Sequence, residues 1–210
     1  MLPHGRDLSV AHGGALPHQG QRSARGGLER LHAHLDANEI TLNTGGGLKV
    51  DGGSYAITNN IIAGNGNITT GAVPGFAVDF SATGTFSFNT VAKNQVPAGI
   101  GGVDCCATTH PLSASIVTQN TAVAGSQFSG ACTFTDVVAG TTETATGPTK
   151  LDPAFVSASN FRLDMTPGAA KTANEACCVD QLTSGSSDHD VDSAARPIRT
   201  KWDIGAFEAP

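Results

Sequence analysis

Apolar positions in this chain come in short runs broken by Gly, Asn and Ser, with no sustained spacing of three and four that would mark helices. From Glu39 onward the runs are β-branched: Ile40-Thr41-Leu42, Leu48-Lys49-Val50, Tyr55-Ala56-Ile57 and Ile61-Ile62. They continue as Phe76-Ala77-Val78, Thr85-Phe86-Ser87-Phe88 and Thr90-Val91-Ala92. Ile100 to Val103, Leu112 to Val117, Ala122-Val123, Cys132-Thr133-Phe134 and Val137-Val138 complete the series. Each run reads as a brief strand. One phrase returns among them. Asn60-Ile61-Ile62-Ala63-Gly64-Asn65 reappears as Asn89-Thr90-Val91-Ala92-Lys93-Asn94 and as Ser115-Ile116-Val117-Thr118-Gln119-Asn120. A degenerate fourth copy is Thr135-Asp136-Val137-Val138-Ala139-Gly140, and the copies step by 29, 26 and 20 residues. Val50-Asp51, Val78-Asp79 and Val103-Asp104 recur out of phase with it, at steps of 28 and 25. Two columns sharing nearly one period mark a solenoid, whose repeats bury apolar faces only by stacking on their neighbours. With three brief strands per repeat, the pattern predicts an all-β fold, a parallel β-helix of about four coils.

Stacked coils bring equivalent residues to the strand spacing of about 4.8 Å. Ile62, Val91, Val117 and Val138 then form an interior aliphatic stack. Asn65, Asn94 and Asn120 form a corner ladder, where Asn tolerates the left-handed backbone and its amide bonds to the amide above. The Asp51, Asp79, Asp104 column supports more than one reading. Three stacked carboxylates repel by about 1 kcal/mol per adjacent pair even in a water-like dielectric. The column stands if each Asp caps turn amides, if the register staggers them, or if a Ca²⁺-type cation or a substrate group lies among them.

Composition narrows the picture. Of 210 residues only 14% are charged and 5% aromatic, while 26 are glycine, which suits many tight turns and no helical bundle. The net charge of −6 excludes nucleic acid as a partner, since that needs clustered Lys and Arg. No run of about 20 apolar residues occurs, so no membrane span is expected. Residues 1–38 differ from the rest, with His4, His12, His18, His32 and His34 among seven histidines in all. His32-Ala33-His34 is the tightest pair, but no nearby Cys or carboxylate completes a metal site. Leu28, Leu31 and Leu35 would line one face of a capping helix; alternatively the segment is a truncated or misread amino end. The coils occupy 39–146 and a capping region 147–210.

Past Gly147-Pro148 the repeats give way to Leu151-Asp152-Pro153-Ala154-Phe155, Asn160-Phe161-Arg162-Leu163 and Thr166-Pro167-Gly168-Ala169-Ala170. The chain closes on Arg196-Pro197 and Trp202-Asp203-Ile204-Gly205-Ala206-Phe207-Glu208. This ordered set resembles the ends of bacterial right-handed parallel β-helix proteins of the pectin-lyase-like superfamily, specifically those labelled choice-of-anchor Q. The resemblance spans roughly residues 41–210, with its specific part in the last 60 or so. It departs from the family at Ala170, where Pro is usual, and at Phe207, where Tyr is usual. It implies the right-handed fold and an exported, surface-associated protein, although Leu2-Pro3-His4-Gly5-Arg6 opens no secretory signal; a signal and further coils would then lie upstream. Physically, the tail is expected to cover the open end of the solenoid, with Trp202, Ile204 and Phe207 on the last coil.

Asp188, Asp190 and Asp192 alternate as in calcium loops, yet Ser193 stands where the turn Gly belongs and Arg199 where the closing Glu belongs. No cofactor is otherwise implied. Cys105, Cys106, Cys132, Cys177 and Cys178 read as disulfide candidates, with Cys132 about one coil after Cys105 and Cys106. Cys177 and Cys178 bridge either to the remaining thiol or to each other. Cys106 with His110 is the one conceivable nucleophile pair, but nothing supplies an oxyanion hole. The expected role is a non-catalytic adhesive or structural one, with surface glycans or other cell-surface proteins as partners. The alternative is a carbohydrate-active β-helix, a polysaccharide lyase or glycoside hydrolase. It needs facing carboxylates in an aromatic-lined groove, and the coils offer one Tyr and no Trp.

Overall fold

The computed structural model describes residues 8–10, 32–69, 73–78, 82–121 and 127–210. Asp79, Ala122-Val123, Leu28, Leu31, His4, His12 and His18 lie outside them. The strands are, in order, β1 (Leu8–Val10), β2 (His32–Asp36), β3 (Glu39–Thr41), β4 (Gly46–Val50), β5 (Ser54–Thr58) and β6 (Ile61–Ala63). Then come β7 (Val73–Val78), β8 (Thr83–Ser87), β9 (Thr90–Ala92), β10 (Val103–Asp104), β11 (His110–Ser113) and β12 (Ile116–Thr118). β13 (Phe128–Ser129), β14 (Cys132–Thr135), β15 (Val138–Ala139) and β16 (Thr149–Lys150) precede the helix α1 (Ala169–Cys177).

The strands stack into three sheets: β1-β4-β7-β10-β13, β2-β5-β8-β11-β14 and β3-β6-β9-β12-β15-β16, here called the first, second and third. Every pairing is parallel except β1 on β4, so the fold is a parallel β-solenoid of about four coils. Leu35 enters the core from β2, which already belongs to the first coil. The interior is filled by Ile40, Ile62, Val91 and Val117 from the third sheet, by Leu48, Phe76 and Val103 from the first, and by Tyr55, Ile57, Phe86 and Leu112 from the second. Phe76 stacks on Phe86 with centroids 4.5 Å apart.

The repeated phrase marks two corners, and each carries a ladder. Asn65 N–H and Nδ2 both donate to Asn94 Oδ1, at 3.0 and 2.9 Å, and Asn94 repeats this onto Asn120 Oδ1 at 2.9 and 2.8 Å. Asn43 extends the ladder upward onto Asn65; Gln127 and then Glu143 continue it downward. A second ladder joins Asn38, Asn60, Asn89 and Ser115 across the other corner. The asparagines are not the left-handed residues, contrary to expectation. Positive φ falls one position earlier, at Ala37, Asn59, Phe88 and Ala114 on one corner and at Leu42, Gly64, Lys93 and Gln119 on the other. The strained residue turns the chain, and the Asn behind it ties that turn to the next coil.

Two further expectations are corrected. Val138 pairs with Ile116, so the residue stacked on Val117 is Ala139, and the fourth copy sits in a different register from the one its letters suggest. Val137-Val138-Ala139 is apolar in either register, and a one-residue slip exchanges the two faces. Only the start of the tail lies over the open end, where β16 pairs with β15 and Leu151 N–H meets Ala139 O. Beside it the turn after β15 closes that end: Glu143 accepts Ala145 N–H and Ala145 packs on the core. The rest of the tail runs along the outside of the third sheet: Phe161, Val191 and Ala206 cover Ile61, Ala63 and Ala92, while Leu163, Ile204 and the Cys177-Cys178 pair cover Phe88, Ile116 and Val138. β6, β9 and β12 are therefore buried on both faces, which is why their apolar runs do not alternate.

Candidate functional site

With the third sheet covered by the tail, the outer face of the second sheet is the broad strand face that alternates inside to outside. β5 buries Tyr55 and Ile57 and turns Ser54, Ala56 and Thr58 outward; β8 turns Thr83, Thr85 and Ser87 outward. The register aligns Thr58, Ser87, Ser113 and Thr135 in one row along the solenoid axis, with Asp36 at its head. A parallel row runs through His34, Ala56, Thr85 and Thr133, interrupted by Pro111. Along a row the step is one strand spacing, about 4.8 Å, and between rows it is two residues of strand, about 6.6 Å. Beyond β2 these positions are hydroxyls, Ala and Pro, without aromatics or charges. The phenol and phenyl rings of this sheet, Tyr55, Phe86 and Phe134, pack on the core.

The proposed acidic sites separate. Asp104 pairs with Ala77, which pairs with Lys49, so it lies two positions away from the column that Asp51 continues past Val50. Asp51 and Asp104 thus do not share one stack. Asp104 Oδ1 accepts Ser129 Oγ–H at 2.6 Å and Cys106 N–H at 3.0 Å, and Asp51 pairs with Lys49 at 2.8 Å. Asp188, Asp190 and Asp192 point three ways. Asp188 is exposed against His189 at 2.7 Å. Asp190 is fully buried and accepts the N–H groups of Asp192 and Ala194 on one oxygen and of Glu208 on the other. Asp192 is bound by Arg162, which holds its carboxyl below the usual range. Among the described residues no three His, Cys, Asp or Glu side chains converge as a metal site, and no helix is long and apolar enough to cross a membrane.

Cys105 bonds Cys132 across one coil, with Cα atoms 5.4 Å apart, and Cys177 bonds Cys178. Cys106 belongs to neither bridge and is exposed. His110 is buried, with Tyr55 Oη 3.2 Å from Nδ1 and Thr108 Oγ1 2.9 Å from Nε2. Both ring nitrogens are therefore occupied by hydroxyls. Burial lowers the His110 pKa and pushes Tyr55 up to about 12, so this pair is a neutral core contact.

One cluster escaped the sequence reading. Arg196 is buried with its guanidinium 4.9 Å from the Phe88 centroid, donating to the carbonyls of Asp203 and Gly205 at 3.2 and 2.7 Å. Glu208 Oε2 lies 3.7 Å from Arg196 Nη1 and accepts Asp203 N–H, while Asp203 accepts the N–H groups of Asp180 and Ala209. The Arg-Pro and Asp-Ile-Gly-Ala-Phe-Glu motifs are thus one polar lock. It sets Gly205 N–H on Ala114 O and Ala206 N–H on Thr90 Oγ1, fastening the tail to the coils. In the sequence only the two motifs themselves show, not their joining. The carboxylates here are held by backbone amides and face no open groove.

No protein-family model matches the chain, and neither the curated proteins nor the solved structures contain a match to it.

Proposed function

We propose that this protein is a non-catalytic, exported solenoid that serves an adhesive or structural role through the outer face of its second sheet. The observation that carries the reading is the contrast between that face and the carboxylates. The face is broad, regular, uncharged beyond β2 and rich in hydroxyls. Meanwhile Asp190, Asp203 and Glu208 are spent on backbone amides, and Asp192 on Arg162. Glycoside cleavage needs two carboxylates free to meet the scissile bond. Export is supported by two disulfides, which persist in oxidising compartments, and by the likeness of the tail motifs to choice-of-anchor Q ends of bacterial right-handed β-helix proteins in the pectin-lyase-like superfamily. Neutral surface glycans are the partner class that an uncharged hydroxyl array suits.

The test is a glycan and polysaccharide array read for binding, paired with assays for new reducing ends and unsaturated sugar products. Binding without turnover, weakened by Thr85→Lys and Ser113→Lys, is the expected result. Cleavage of any polymer, or binding unchanged by both substitutions, overturns the proposal.

A further inference from the structure

The tail meets the first coil through two side chains, Arg162 on Glu39 and His189 on Asp36, and only the histidine titrates near neutral pH. His189 Nε2 lies 3.0 Å from Asp36 Oδ2 on β2, and Nδ1 lies 2.7 Å from Asp188 Oδ1. A neutral imidazole carries one N–H and one lone pair, so it can face only one carboxylate favourably; the imidazolium carries two N–H groups and faces both. Among the described residues no other cation pairs with Asp36 or Asp188. Asn59 Nδ2 donates to Asp36 Oδ1 at 2.9 Å and to Ser187 Oγ at 2.8 Å, and Ser187 Oγ–H lies 2.6 Å from His189 O. The nearest ionic staple, Arg162 between Glu39 and Asp192, is complete in itself.

We propose that His189 is a pH-operated clasp that, when protonated, fastens the 187–195 segment of the tail to the first coil through Asp36, and that its deprotonation loosens this segment while the coils stay folded. The sign follows from the partners. The bond to Asp188 and the charge of Asp36 raise the His189 pKa above its ordinary value. Stability from the clasp is therefore fully present below the unfolded histidine pKa, about 6.5, and lost as pH rises through the folded value. The remainder of the tail has other anchors on the coils, Gly205 N–H on Ala114 O and Ala206 N–H on Thr90 Oγ1, which do not titrate. Asp36 also heads the hydroxyl row of the second sheet, so opening the clasp converts a neutralised ion pair into a bare carboxylate at the edge of the open face.

The experiment uses the full chain. The His189 ring proton is followed by NMR against pH in the wild type, Asp36→Asn and Asp188→Asn, together with amide exchange across 187–195, corrected for intrinsic rates, in wild type and His189→Gln. Expected are a His189 titration above about 6.5 that each Asn substitution lowers, and loss of protection in 187–195 over the same pH range. In His189→Gln the pH dependence disappears, while protection in β5 and β8 shows that the coils remain folded. A wild-type His189 that titrates at or below the ordinary value, or protection indifferent to pH, overturns the clasp. The wild-type titration stands even where a variant fails to fold.

Discussion

Asn94 sits at the centre of the longer ladder and is 1% exposed. Its Oδ1 accepts Asn65 N–H and Nδ2, and its Nδ2 donates to Ile62 O and Asn120 Oδ1. Asn94→Ala removes all of these contacts at once. Asn65 Nδ2 keeps Ile40 O, and Asn120 Oδ1 keeps the backbone N–H of residue 94, but Asn65 N–H loses its acceptor. An orphaned buried donor costs about 1–3 kcal/mol and each of the three further lost bonds about 0.5–1.5, giving roughly 2.5–7.5 kcal/mol in total. That is a large share of the 5–15 kcal/mol or so typical of a domain. Asn94→Asp keeps the shape but places an oxygen where Nδ2 stood, 2.9 Å from Ile62 O and 2.8 Å from Asn120 Oδ1. At neutral pH it destabilises more than Asn94→Ala, and the deficit shrinks in acid as the carboxyl regains a proton to donate. Urea unfolding followed by circular dichroism measures both, with Ser87→Ala on the open face as a control expected within about 0.5 kcal/mol of wild type. An alanine variant that loses less than about 1 kcal/mol, or an aspartate variant indifferent to pH, refutes the reasoning.

Gly205 has φ of 99°, and a Cβ there would lie 2.7 Å from Ile116 Cδ1, so Gly205→Ala should lose about 2 kcal/mol and show faster proteolysis of the tail. The Cys105–Cys132 bridge spans 27 residues and by chain entropy contributes about 3.6 kcal/mol. The Cys177–Cys178 bridge closes almost no loop, so paired Cys→Ser replacement should lower the melting temperature far more at the first site than at the second. Burial pushes the Asp203 carboxyl up to about 6. The folded state thus keeps a proton that the unfolded chain releases near pH 3.9, and from about pH 4 to 6 this group's contribution falls by about 3 kcal/mol as pH rises. Asp203→Asn should flatten that part of a stability–pH curve.

The repeat was legible because stacked coils demand the same residue at the same corner, and Asn carries both the donor and the acceptor such a ladder needs. The second ladder, through Asn60 and Asn89, lies in the same phrase but is harder to read because its last member is Ser115. The Asp column is misleading because nearly equal steps of 28 and 25 along the chain do not guarantee equal register when coil lengths change; Asp104 lies beside Ala77. The route of the tail left one readable trace. Ile61-Ile62-Ala63 and Ile116-Val117 are apolar on both faces, and an exposed flank would have alternated. The Arg196 lock is invisible from spacing, since it joins groups through backbone carbonyls and amides that any sequence possesses.

The tail lies along the third sheet as far as the first coil and leaves the outer face of the second sheet open. Asn59 Nδ2 and Ser187 Oγ, 128 residues apart in sequence, lie 2.8 Å from each other. Asn59→Cys with Ser187→Cys in a Cys106→Ser background, oxidised gently and mapped by peptide mass, tests this directly. A disulfide between positions 59 and 187 is the predicted product. Thiols at both positions that stay free, or that bridge only between molecules, would place the tail elsewhere and contradict the account.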